Sequence, residues 1–66
     1  MNSGEVIKML MLKNNVTVSV LADTLGVKEP QLSRWRNSND IKLSTVKRIC
    51  DGLGISTSEF YNALDS

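Results

Sequence analysis

The 66-residue chain contains no histidine and a single cysteine, which removes most of the usual means by which a small protein does covalent chemistry. Without an imidazole the lone cysteine lacks the usual partner that would make it a thiolate nucleophile, and a common zinc ligand is missing. The lone thiol, Cys50, cannot close an internal disulfide, so the chain fits a reducing cytosol. Four dispersed glycines make no phosphate-cradling loop, and the seven acidic side chains are scattered rather than paired. These absences predict a non-enzyme that needs no cofactor, no metal and no small-molecule ligand.

Long apolar runs are also missing. The most apolar N-terminal stretch, Val6 to Leu12, is short and is broken by Lys8, which argues against a membrane or secretory segment. No alternating stretch is long enough for a strand, and no repeat, linker or low-complexity segment is present. One domain over residues 1–66 accounts for the sequence and leaves no room for a separate sensor or catalytic unit. A domain of this size buries only about 60% of its unfolded surface, so self-association is a ready source of extra stability.

What is present is a set of helix starts and stops. Asn2 or Ser3 can cap a first helix that runs through Lys13, with Ile7 and Leu10 inward and Val6 and Met11 beside them; Asn14 and Asn15 end it. Thr17 can cap a second helix beginning near Val18, with Val16 stapled onto Leu21. Leu21, Ala22 and Leu25 share a face, and Ala22 is small enough for another helix to cross close above it. Gly26 supplies the left-handed backbone that stops this helix, and Val27 returns to the core. Pro30 suits the first turn of a third helix that starts near Glu29 or Pro30 and reaches about Asn37, anchored inward by Leu32 and Trp35. Two short helices meeting at one glycine between Thr17 and Asn37 form a helix-turn-helix signature, which points to DNA.

Two further helices follow. Ser44 is expected to cap a fourth, whose stripe is Val46, Ile49, Cys50 and Leu53, closed by Gly54. Ser56 and Glu59 form a capping-box pattern for a fifth, from Thr57 to about Leu64, with Ile55 stapled onto Phe60. Trp35 reads as core rather than a base-stacking residue because of its spacing from Leu32, Met9 and Met11 read as helix packing, and Cys50 lies within an apolar stripe.

A net charge of +1 is small for a nucleic-acid binder, but the charge is unevenly distributed. Residues 28–48 hold Lys28, Arg34, Arg36, Lys42, Lys47 and Arg48 against Glu29 and Asp40, whereas residues 49–66 carry only Asp51, Glu59 and Asp65. If these segments occupy different faces, a positive strip meets phosphate and the acidic end faces away.

From about Gly4 to Leu64 the order and spacing resemble the phage Cro and repressor type of helix-turn-helix domain, also called XRE-like. The matching residues are Ile7 and Leu10, Leu21-Ala22, Leu25-Gly26-Val27, Leu32-Ser33, Trp35, Leu43 to Val46, Ile49, Leu53-Gly54-Ile55 and Phe60. The resemblance implies an all-α fold, a compact five-helix bundle of the lambda-repressor-like type, with the helix-turn-helix formed by helices 2 and 3. It also implies that the third helix enters the major groove, generally as half of a symmetric dimer.

Carried over by position, the base-reading set is Glu29, Pro30, Gln31, Ser33 and Arg34. Arg34 can pair with guanine O6 and N7, worth roughly 1 to 3 kcal/mol of discrimination; Gln31 suits adenine and Glu29 suits cytosine N4. An acidic residue at a helix start is favoured by the dipole in any case, and a surface Arg or Gln is ordinary, so the resemblance carries these assignments. The phosphate-contacting set is Thr17, Ser19, Lys28, Arg36, Asn37, Lys42 and Thr45.

This chain departs from the family pattern in three places. Val18 stands where members usually have a phosphate-touching Gln, and Pro30 where a polar base contact is common. Met11 and Arg36 replace a buried Arg–Glu pair; because both changed, no buried charge is stranded, and Met11 is expected to pack on the Arg36 stem while the guanidinium reaches solvent or phosphate.

The leading expectation is a sequence-specific transcriptional regulator, a small Cro-like repressor binding double-stranded DNA as a homodimer in the bacterial cytoplasm or nucleoid. Phe60, Tyr61 and Leu64 are its expected dimer interface. The alternatives are a protein-interaction module of the same fold, such as an antitoxin or anti-repressor, and a small activator or controller protein.

Overall fold

In the computed structural model, which describes residues 1–66, the chain forms five α-helices and no strand: α1 Ser3–Lys13, α2 Val18–Leu25, α3 Glu29–Arg36, α4 Leu43–Leu53 and α5 Thr57–Leu64. Local chemistry accounts for most of the boundaries. Asn2 caps α1 by accepting from the Glu5 N–H at 2.9 Å, and Glu5 accepts from the Asn2 N–H at 2.9 Å, so two otherwise free donors are satisfied reciprocally. Asn15, at φ 56°, turns the chain out of α1. The Thr17 hydroxyl accepts from the Val20 N–H at 3.2 Å to start α2, and Gly26 ends it at φ 70°.

Two caps differ from the sequence reading. α4 starts one residue before Ser44: the Lys42 carbonyl already accepts from the Thr45 and Val46 N–H groups, so Lys42 is the cap position and Ser44 lies inside the first turn. At α5, Ser56 accepts from the Glu59 N–H at 3.2 Å, but the Glu59 carboxylate does not return the bond. It sits 3.7 Å from the Lys13 ammonium, where it ties α5 to the end of α1.

Every helix contributes to a single core. Val6, Ile7, Leu10 and Met11 of α1 pack with Leu21 and Ala22 of α2, Leu32 of α3, Val46, Ile49, Cys50 and Leu53 of α4, and Phe60 of α5. α1 lies against α3, α4 and α5, while α2 packs between α3 and α4. The apolar spacings that defined each helix are thus satisfied together.

One close approach sets the position of the recognition unit. The Ser3 and Gly4 N–H groups donate to the Asn39 and Ser38 carbonyls, at 3.2 and 2.9 Å, so the start of α1 is bonded to the loop that leaves α3. A Cβ on Gly4 would lie 2.7 Å from the Ser38 carbonyl oxygen and closer still to that of Arg36, so only glycine permits this docking.

Candidate nucleic-acid interface

Burial of Leu32 and Trp35 decides which face α3 shows. Leu32 is fully enclosed and Trp35 packs against the core, which turns Lys28, Glu29, Pro30 and Arg34 into solvent and leaves Gln31 and Ser33 partly exposed. The side-chain hydrogen bonds on α3 lie at its far end, where Asn37 and Ser38 bond the Ser33 and Arg34 carbonyls. Lys28, Glu29, Gln31 and Arg34 make no hydrogen bond or ion pair through their side chains. Their donors and acceptors are therefore free for an external partner.

Thr17, Lys28 and Lys42 occupy the cap positions of α2, α3 and α4 in turn. A helix N-terminus presents unpaired N–H groups and the positive end of the dipole, so an added hydroxyl or ammonium makes each a suitable phosphate contact. Ser19 shares a shallow depression with Asp23, Lys28, Glu29 and Pro30, which joins the second helix to the start of the third. The sequence reading did not single out Asp23, whose carboxylate adds negative charge to that edge. Thr45 is partly buried in the first turn of α4.

Asn37 is held from two sides. Its amide donates to the Ser33 carbonyl at 2.9 Å, and its oxygen accepts from the Lys8 ammonium at 3.4 Å. Lys8 thereby joins the candidate surface, which sequence reasoning missed because 29 positions separate the two residues. By contrast, Arg48, counted in the positive strip and exposed, has a partner within the chain: it donates to the Leu25 carbonyl at 2.9 Å.

Residues 6–65 match the domain family described as the Cro/C1-type HTH DNA-binding domain. The chain belongs to that family. No curated protein matches the chain.

Within this Cro/C1-type domain the unusual positions acquire a physical setting. Val18, in place of the common Gln, packs against the core and offers no polar group. Met11 is buried, and Arg36 is partly buried with its Nε enclosed and without a hydrogen bond in the chain. Exchanging the family's ion pair for these two residues therefore strands no full charge but does leave one donor unmatched. Phe60 corrects the expected dimer set, since it is fully buried in the protomer, whereas Tyr61 is 38% exposed and Leu64 partly so. The Phe60 and Tyr61 rings meet edge to face at 5.6 Å, so the buried ring supports the exposed one. No helix of the domain is long and apolar enough to cross a membrane.

Proposed function

We propose that this Cro/C1-type domain is a sequence-specific transcriptional regulator, a small Cro-like repressor that binds a near-palindromic operator as a dimer with α3 in the major groove. The division of α3 supports this reading best: its apolar residues are spent on the core, while the side chains of Glu29, Gln31 and Arg34 have no partner within the molecule. Arg34, Gln31 and Glu29 read base edges, with Ser33 and Pro30 beside them. Pro30 has no N–H and touches a thymine methyl or shapes the helix start. Thr17, Ser19, Lys28, Arg36, Asn37, Lys42 and Thr45 contact phosphate and set the register.

The domain acts as a single unit over residues 1–66, in the bacterial cytoplasm, without catalysis or a cofactor. Tyr61 and Leu64 form the exposed part of the proposed dimer surface. Selection of bound sites from random duplex DNA tests the whole reading. The expected product is a palindrome whose half-sites are centred about one helical turn apart. If no sequence is enriched and no salt-dependent mobility shift is seen, regulation through DNA is wrong, and a protein-interaction module of the same fold takes its place.

A further inference from the structure

Arg48 lies on α4, outside the helix-turn-helix, yet touches both of its helices. Its Nη2 donates to the Leu25 carbonyl at 2.9 Å, at the last residue of α2. Its guanidinium carbon also lies 5.8 Å from the centre of the Trp35 ring on α3, within cation–π range. Two features of the fold give these contacts weight. α2 has no basic residue in its last turn, and the Gly26 and Val27 N–H groups are taken by the Asp23 and Ala22 carbonyls, so Arg48 supplies the cation for the negative end of the dipole. The backbone of α4 approaches that of α2 closely but not that of α3, so a long side chain is what reaches from it to the outer part of the recognition helix. One turn further on, Gly52 lets the Leu25 side chain lie against α4, since a Cβ there would be 2.8 Å from Leu25 Cδ2. The α2 carbonyl thus falls within reach of Arg48.

We infer that Arg48 is a positioning residue for DNA recognition, a clamp that fixes α3 relative to α2 without itself touching DNA. The effect on DNA rests on the proposed function; the clamp itself does not. Arg48→Ala and Arg48→Lys test both. In the free protein, hydrogen exchange of the α3 amides should rise about tenfold in Arg48→Ala relative to the α1 and α5 amides, and Arg48→Lys, which keeps a donor for the Leu25 carbonyl, should recover part of the protection.

On the site selected from random DNA, Arg48→Ala should bind about tenfold more weakly, lose less on a scrambled duplex, and keep the wild-type salt slope. Unchanged α3 exchange, or an equal rise in every helix, overturns the clamp. Equal losses on both duplexes with a salt slope reduced by about one would instead make Arg48 a phosphate ligand. If the unmodified protein prefers no duplex, the DNA reading fails, and the exchange comparison alone decides the clamp.

Discussion

Arg34 and Lys42 are both exposed cations, but they stand at places with different consequences. Arg34 lies on the outer face of α3, where a guanidinium can take two acceptors from one guanine, whereas Lys42 is the cap residue of α4 and would meet a phosphate as a point charge. Arg34→Ala should cost about 1–3 kcal/mol on the selected site and relax preference at one base pair. Lys42→Ala should weaken all duplexes alike and lower the salt slope by about one. Titrating both variants against matched and single-mismatch duplexes checks this, and equal losses on every duplex for Arg34→Ala would remove it from the base-reading set.

Cys50 offers a residue-scale prediction that needs no DNA. Burial pushes its thiol above the ordinary range, and the Glu59 and Asp51 carboxylates push it further. The unfolded thiol therefore ionises first as pH rises, so the folded state loses stability above the ordinary thiol pKa of about 8.5 and is unaffected by this group below it. The difference in melting temperature between the wild type and Cys50→Ala should be constant near neutrality and shrink above about pH 8.5. A difference that stays constant to high pH would show that the thiol is not held neutral.

Among the elements, the caps explain why so much of the fold was legible beforehand. Asn2 with Glu5, Thr17, Gly26, Pro30 and Ser56 act within one turn of their own position, so their chemistry can be read from neighbours in the chain. The sequence places the cap of α4 two residues late, at Ser44, because Lys42 caps through its backbone alone, and its side chain leaves no trace of the role. The docking of α1 on the loop after α3 was invisible for a related reason: Gly4 is required by carbonyls more than 30 positions away. Gly4→Ala should force those backbones apart, cost about 1–3 kcal/mol as overpacking does, and raise exchange at the Ser3 and Gly4 amides before the rest of α1. A melting temperature within error of the wild type would show that the loop moves aside freely.

For the molecule as a whole, size argues for two copies on DNA. The domain measures 28 × 21 × 20 Å, shorter than the roughly 34 Å between equivalent positions on successive major grooves. Under the proposed function one copy would serve one half-site, and a palindrome would call for a symmetric pair. With Phe60 enclosed, the proposed pairing would rest on Tyr61 and Leu64, so Tyr61→Asp should abolish self-association while leaving helix content and single half-site binding intact. Sedimentation of both proteins alone and on a full site measures this; a wild type that stays monomeric at high concentration on either substrate removes the dimer.

The five helices, the core stripes and the glycine turn between α2 and α3 follow from residue order alone, because helix capping and apolar spacing are short-range and repeat with the helical period. The partners and surroundings of the cations come only from packing between helices. Arg48 is drawn to the end of α2, Lys8 is brought to Asn37, and the Arg36 Nε is enclosed, and residue spacing reveals none of these three partners or surroundings. Their different fates follow from packing across elements far apart in the chain, where distance in space has no counterpart in residue spacing.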